Sequence, residues 1–252
     1  MTVMRGHRIR RTFAGMLLGG IALLVAGCAT PEAAVEPEGT LDVLGPFPGF
    51  ADKGLPDDWV FDGARDAKTH LASVSLGGVP ALKIENTDTP FTAALRAKAL
   101  LLTTPFLSWA WNMETAEGGD HPVRLVVGFW QSKDGEAAWD ARPGAALSWP
   151  GGTLPPHQRA ITITWGESAL ARGTLTLSKG TRENRAAPRY VARGGRESTG
   201  QWWLETVDLA DLYARAWPGE DMRRVRITFI GIAAEGGRQP TVAHVSGVRL
   251  TR

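Results

Sequence analysis

The feature that most limits the fold of this chain is the alternation of apolar and polar residues in short runs from Phe47 onward. In residues 107–113 a period of two places four large side chains on one face of a strand: Leu107, Trp109, Trp111 and Met113. Runs of this kind are separated by Gly, Pro, Asp and Asn, which end strands and form turns. The pattern predicts one all-β domain, an antiparallel β-sandwich of jelly-roll type.

Eleven runs are predicted as strands: residues 69–76, 79–86, 91–99, 106–113, 123–131, 160–166, 173–178, 188–193, 202–207, 224–234 and 242–250. Gly77 and Gly78 lie between the first two runs, which predicts a two-residue hairpin turn. One short helix is predicted over 209–216, with Asp208 as its N-cap. The sandwich is therefore expected to contain almost no helix.

The first 28 residues have the layout of a bacterial export signal. Four arginines precede an apolar run over 13–26, and Val25-Ala26-Gly27-Cys28 follows. The apolar run is shorter than the roughly 20 residues that a membrane-spanning helix needs. This order predicts residues 1–27 as a signal peptide and Cys28 as the lipidated N-terminus of the mature protein.

The segment after the cysteine has the composition of a linker. Residues 29–46 contain three Pro and three Glu and few large apolar side chains, so we predict 28–46 as the lipidated cysteine and a flexible tether. Residues 47–252 are then the sandwich domain. Ala29 after the cysteine favours an outer-membrane location facing the periplasm, with the membrane as a partner through the lipid. Because the single Cys carries the lipid, no disulfide is expected.

The charge argues against a nucleic-acid partner. The formal charge is +2, but four of the arginines lie in the predicted signal peptide. Without them the chain has 24 basic and 26 acidic residues, a formal charge of −2, whereas phosphate binding needs a concentrated basic excess. Basic residues do cluster over 179–196, which is typical of a solvated loop and also compatible with anionic envelope polymers.

Three of these segments carry a resemblance to a known family. Residues 106–111, 123–129 and 202–208, together with 55–59, resemble the uncharacterised bacterial domain of unknown function 3047. The resemblance covers roughly 47–250 and implies an exported protein with a jelly-roll sandwich, similar in outline to carbohydrate-binding modules. The family tends to have a pair of Asp before the strand at 123–129, where this chain has Gly119-Asp120-His121-Pro122.

No motif in the chain identifies a reaction. The Gly-X-Ser-X-Gly sequence of hydrolases is absent, and the histidines occur singly, so we predict no catalytic residue, no metal site and no cofactor. A calcium site at 86–89 is less favoured than a plain turn. Glycoside cleavage would need two carboxylates facing a sugar, and the local candidates are Asp57 with Asp58, Glu114 with Glu117, and Glu205 with Asp208.

Tryptophan is the residue type most suggestive of a ligand. Trp109, Trp111 and Trp130 can form an aromatic plane for a sugar ring, although the same pattern is more typical of core. Trp139 and Trp149 are better candidates because they lie in the long Gly- and Pro-rich stretch 132–159. The resulting hypothesis is an envelope lipoprotein with a non-catalytic, glycan-binding sandwich. A polysaccharide-processing enzyme and a structural or assembly lipoprotein are the alternatives.

Overall fold

The computed structural model describes residues 39–44, 59–63, 66–131, 154–177, 187–237 and 239–252. Within these residues the chain forms thirteen strands and one α-helix. The strands are β1 Leu41–Leu44, β2 Val60–Gly63, β3 Leu71–Leu76, β4 Val79–Glu85, β5 Phe91–Leu100, β6 Phe106–Met113, β7 Val123–Gln131, β8 Arg159–Gly166, β9 Leu175–Thr176, β10 Arg189–Gly194, β11 Trp203–Asp208, β12 Val225–Ala234 and β13 Val242–Thr251. The helix, α1, is Leu209–Ala216.

The strands form two sheets. Sheet one has the order β11-β6-β13-β4-β3, with β1 paired to β13. Sheet two has the order β2-β5-β12-β7-β8-β10-β9. The pairs are antiparallel except that β10 runs parallel to β8. The predicted all-β jelly-roll sandwich is confirmed, with this one parallel pair as an addition.

The core lies between the two sheets because alternate residues of each strand face inward. In β6 the inward residues are the four that the alternation of the sequence predicts on one face. All four are fully buried: Leu107, Trp109, Trp111 and Met113. The two tryptophans meet edge to face, with ring centroids 5.1 Å apart. Trp111 also meets Trp165 of the opposite sheet, at 5.6 Å, so aromatic rings join the two layers.

Two strands depart from the sequence-based expectation. Leu41–Leu44 lies within the segment expected to be tether, yet it pairs with β13 and buries Leu41 and Leu44. The domain therefore begins before Phe47, because Leu, Val and Leu in this short stretch suffice to complete a sheet edge. Val60–Gly63 was not predicted as a strand, and it pairs with β5. The remainder of 1–46, apart from 39–44, lies outside the described residues.

The predicted helix and its cap are both present. Asp208 Oδ1 accepts hydrogen bonds from the Ala210 and Asp211 amides, at 2.9 and 3.0 Å. These bonds satisfy two of the amides that a helix N-terminus leaves without partners. No helix in the part of the chain that the structure describes is long and apolar enough to cross a membrane.

Candidate functional site

Three connections meet at one end of the sandwich and form a cleft. They are the β6–β7 connection, the residues after β8, and the β10–β11 connection. The cleft encloses about 20 Å³ and is lined by Glu114, Ala116, Gly119, His121, Trp165, Gly166, Glu167, Gly195, Arg196 and Thr199. Loops carried on a rigid sandwich are a common place for binding residues.

Hydrogen bonds between the loops fix the sides of this cleft. The Gly195 amide donates to the Gly166 carbonyl at 3.1 Å, and the Gly200 amide donates to the Met113 carbonyl at 2.9 Å. Hydroxyl groups of two side chains, Thr115 and Thr199, lie 3.0 Å apart and share a hydrogen bond. The three connections therefore hold one another in place, and the cleft exists without a ligand.

His121 supports the cleft from inside. Its amide donates to the Trp165 carbonyl at 2.9 Å, and its Nδ1 accepts from the Val123 amide at 3.1 Å. The accepting Nδ1 places the proton of the neutral ring on Nε2. Burial lowers the pKa of His121 to about 4, although backbone hydrogen bonds with Val242 and Val123 oppose this effect. His121 is therefore neutral at pH 7 and serves as a buried connection between loops.

Groups of both charges reach the cleft. Glu114 and Glu167 supply carboxylates from different strand ends, and Arg196 supplies a guanidinium. The main chain at Glu167 is held by Asp120, whose Oδ1 accepts from the Glu167 amide at 3.1 Å. Carboxylate oxygens accept and the guanidinium donates hydrogen bonds, so the lining matches a molecule with many hydroxyl groups.

An ion cluster behind the cleft joins the two sheets. Glu205 of sheet one is 4% exposed and forms salt bridges with Arg193 of β10 and with Arg172. The Arg193 guanidinium also lies 3.7 Å from the centre of the Trp203 ring, in cation–π contact. In turn Trp203 Nε1 donates to the Ser198 carbonyl at 2.8 Å. This chain of contacts anchors the β10–β11 connection that carries Arg196 and Thr199.

The predicted tryptophan plane is not at the surface. Trp109 and Trp111 are 0% exposed, and Trp130 is 7% exposed, so the rings offer no face to a ligand in solution. The stacking interpretation is wrong for these three residues. Trp109 and Trp111 lie on the face of β6 that packs against the opposite sheet. Trp130 lies in β7 of the other sheet, so the three rings form no common plane. Trp139, Trp149 and Cys28 lie outside the described residues.

The members of the local carboxylate pairs that the structure describes have different surroundings. Glu114 lines the cleft but Glu117 does not, and Glu114 is joined there by Glu167 from another loop. Glu205 and Asp208 have different tasks, since Glu205 pairs with arginines and Asp208 caps α1. Asp57 and Asp58 lie outside the described residues.

The turn at 86–89 is explained without an ion. Asn86 Oδ1 accepts from the Thr241 amide at 2.6 Å, and Thr87 Oγ1 donates to the Thr89 carbonyl at 2.6 Å. Over the described ranges, no group of three or more His, Cys, Asp and Glu side chains is placed to hold a metal ion.

Sequence reasoning missed most of the cleft. Trp165, Glu167 and Arg196 each lie at a strand end next to glycine, in Trp165-Gly-Glu167 and Gly194-Gly-Arg196. A charged residue directly after glycine at the end of a strand is the signal that was available. It is weak, because many surface turns have the same composition.

Fold and site together define a class: a two-layer β-sandwich with a small polar cleft formed by loops at one end. The chain belongs to the family described as "Protein of unknown function (DUF3047)", whose model matches residues 57–245. This match confirms the resemblance seen in the sequence. A search of curated proteins finds no match.

Several solved structures are similar at low sequence identity. Endoglucanase 3 of family GH12 from Trichoderma harzianum is 12% identical with a TM-score of 0.40, covering 87% of this chain and 93% of that chain. The family 11 carbohydrate-binding module from Clostridium thermocellum, solved with a mixed-linked tetrasaccharide, is 10% identical with a TM-score of 0.35, covering 86% and 97%. The family 12 xyloglucanase from Bacillus licheniformis is 9% identical with a TM-score of 0.36, covering 76% and 98%.

Proposed function

We propose that this protein binds glycans at the cleft without cleaving them, as a lipid-anchored protein of the cell envelope. The observation that carries the proposal is the lining of the cleft, which includes Glu114, Glu167 and Arg196 together with Trp165. Sugar hydroxyls both donate and accept hydrogen bonds. A lining that offers both acceptors and a donor can therefore hydrogen-bond a sugar.

The rigidity of the loops supports binding. The Gly195 to Gly166 and Gly200 to Met113 hydrogen bonds order the cleft before a ligand arrives, so binding loses little loop entropy. The cleft encloses only about 20 Å³, so a sugar would lie across its open mouth rather than inside it, which favours contact with one sugar unit over a long buried oligosaccharide.

The test is binding of the full chain, purified in a detergent without a sugar headgroup, to four tetrasaccharides. These are cellotetraose, xylotetraose, chitotetraose and tetragalacturonic acid, measured by isothermal titration calorimetry. Glu167→Gln and Arg196→Gln are expected to weaken binding about tenfold each, because charged hydrogen bonds contribute about 1.5–3 kcal/mol. Glu117→Gln is the matched control, since Glu117 is exposed in the same connection as Glu114 and does not line the cleft. If none of the four sugars binds, the proposal is wrong.

A second function is favoured by one specific observation. Glu114 and Glu167 come from different strands and reach the same cleft, as the acid and its partner do in glycosidases. Under this alternative the chain releases reducing ends from one of the four tetrasaccharides, and Glu114→Gln or Glu167→Gln abolishes release. Binding without release in the wild type supports the non-catalytic function.

The envelope location is part of the same proposal. It depends on residues 1–28, where an arginine-rich start, an apolar run and Cys28 follow one another. A lipid at Cys28 would hold the sandwich at the outer membrane, facing the periplasm. Fractionation of cells on a density gradient tests this, and recovery of the protein in the soluble periplasmic fraction would contradict it.

A further inference from the structure

Three exposed apolar side chains lie in the connection between β5 and β6, the apolar turn of residues 100–106. Leu100, Leu102 and Phe106 are 39%, 49% and 36% exposed. Over the described ranges, only three other large apolar side chains are exposed to this degree. A single exposed leucine is ordinary in a folded protein. Exposed apolar side chains concentrated in one segment are typical of a surface that contacts another molecule.

The apolar turn has a fixed shape. The Thr104 amide donates a hydrogen bond to the Leu100 carbonyl at 3.1 Å, and the Leu101 amide donates to the Val225 carbonyl at 3.0 Å. Leu101 is fully buried. Because this central leucine is held in the core, Leu100 and Leu102 on either side of it remain in contact with solvent.

The N-terminal part of the chain joins the sandwich at the same end. β1 begins at Leu41, which pairs with Leu250 near the end of β13. The next residue of β13, Thr251, pairs with Phe106 of the apolar turn. The chain that precedes β1 therefore connects to the end of the sandwich that carries the apolar turn.

Few residues separate this end from the predicted lipid. Ten residues, 29–38, lie between Cys28 and Gly39, where the described part of the chain begins. Even when fully extended, a segment of this length spans at most about 40 Å. A lipid at Cys28 would therefore keep the apolar turn near the bilayer at a high effective concentration.

Basic side chains border the apolar turn. Lys98 is exposed on β5 shortly before the turn, and Arg223 and Arg224 are exposed in the segment directly before Val225. Arg223 is paired with Asp221, so this border is only mildly basic. Long basic side chains at a membrane surface bury their apolar stems and keep their charges at the lipid phosphates. The border thus suits an anionic lipid surface.

The cleft lies at the other end of the sandwich. β6 runs from Phe106 in the apolar turn to Met113, and Glu114 of the cleft follows directly. A strand of eight residues is about 26 Å long. Contact between the apolar turn and a bilayer therefore places the cleft on the side away from the membrane.

We propose that the apolar turn docks the sandwich on the membrane that holds its lipid. This inference rests on the envelope location in the proposed function. Leu100, Leu102 and Phe106 enter the boundary between head groups and acyl chains, and the basic side chains stay at the phosphates. The lipid supplies attachment, and the apolar turn fixes the orientation in which the cleft end extends away from the bilayer.

The experiment places a fluorescent probe at either end of the full chain, processed and lipidated by the bacterium that expresses it. Thr103→Cys puts the probe at an exposed position within the apolar turn. Ala169→Cys is the matched control, because Ala169 is exposed beside Leu170, a leucine that is 96% exposed near the cleft. Cys28 is the single native cysteine, so a lipid on its sulfur leaves only the introduced thiol to react with the maleimide probe NBD.

Each labelled protein is reconstituted into vesicles of phosphatidylethanolamine and phosphatidylglycerol. The probe at residue 103 is expected to shift its emission to shorter wavelength and to be quenched by lipids that carry a doxyl group near the head group. The probe at residue 169 is expected to do neither. Adding Leu102→Ser and Phe106→Ser to Thr103→Cys should abolish both effects, because the apolar contact is removed. Thermal unfolding establishes that each variant is folded.

Mass spectrometry of the purified protein separates the two proposals. If Cys28 carries no lipid, the envelope location fails, and the docking surface with it. If the lipid is present and the probe at residue 103 stays in water, the docking surface is wrong and the anchor stands. A shift in emission without doxyl quenching would mean that protein, such as a second copy, covers the turn, and equal quenching at residue 169 would mean that no orientation is fixed. Either result contradicts the docking surface.

Discussion

His121 makes the stability of the sandwich depend on pH. The ring is 5% exposed and its pKa is lowered to about 4 by burial, whereas an unfolded histidine titrates near 6.5. Between these two values the unfolded chain binds a proton that the folded protein does not bind. The lowered pKa therefore favours the folded state only at high pH, and this contribution is lost as the pH falls from above 6.5 to about 4.

The size of the effect follows from the two pKa values. A change from pH 8 to pH 4 is expected to remove about 3 kcal/mol of unfolding free energy through His121 alone. That is a large share of the total of about 5–15 kcal/mol that is typical of a domain. His157 and His244 also have pKa values lowered by burial and act in the same direction.

The assay is urea unfolding at several pH values for the wild type and His121→Asn. The Asn Oδ1 is placed to accept the Val123 amide hydrogen bond that Nδ1 accepts, but the amide does not titrate. At pH 8 the difference in unfolding free energy between wild type and variant reflects only the change in packing, because His121 is neutral in both the folded and the unfolded chain. By pH 4 this difference in unfolding free energy should have shifted by about 3 kcal/mol in favour of the variant, because only the wild type loses the contribution of His121. The other histidines are present in both proteins, so their contributions cancel. A constant difference across the pH range would refute the reasoning.

Three further predictions concern the ion cluster, the packing of sheet two and the anchor. Glu205→Ala is expected to lower the unfolding free energy by about 3 kcal/mol, because it leaves Arg193 buried without its carboxylate. Gly128→Ala should cost about 1–3 kcal/mol, since a Cβ at this position would overlap the Phe229 ring. Both are measured by chemical denaturation. Cys28→Ala is expected to abolish lipid attachment, measured by metabolic labelling with palmitate.

Each of these predictions has a control or an outcome that would contradict it. Arg215→Ala breaks an exposed ion pair with Asp211 and should change stability by less than about 0.5 kcal/mol. If Glu205→Ala lowered the unfolding free energy no more than Arg215→Ala does, burial of the Glu205–Arg193 pair would not matter for its contribution to stability. For Gly128→Ala, the control is the double variant with Phe229→Leu, which should recover part of the lost unfolding free energy. If the effects of the two substitutions simply added, the predicted overlap between the Ala Cβ and the Phe229 ring would be contradicted. Palmitate incorporation by Cys28→Ala would exclude this cysteine as the sole anchor site.

The candidate site shows why local patterns mislead about chemistry. The sequence singled out Glu114 with Glu117, which are neighbours on the chain, yet the fold brings Glu114 to Glu167. It also singled out Trp109 and Trp111, which are core. Proximity along the chain is a poor guide here because strands from distant parts of the chain end side by side in a sandwich.

The sequence by itself determined where most of the strands and the helix lie. The period of two over 106–113, the turn at Gly77 and Gly78, and the Asp208 cap all depend on neighbours a few residues apart, so short-range geometry suffices to read them. Which side of a strand faces the other sheet and which strand ends adjoin were decided only by the tertiary structure. Those features depend on contacts between residues far apart in the chain. The chain adopts the arrangement that buries the most apolar surface, and this burial is a property of the whole domain rather than of any short segment.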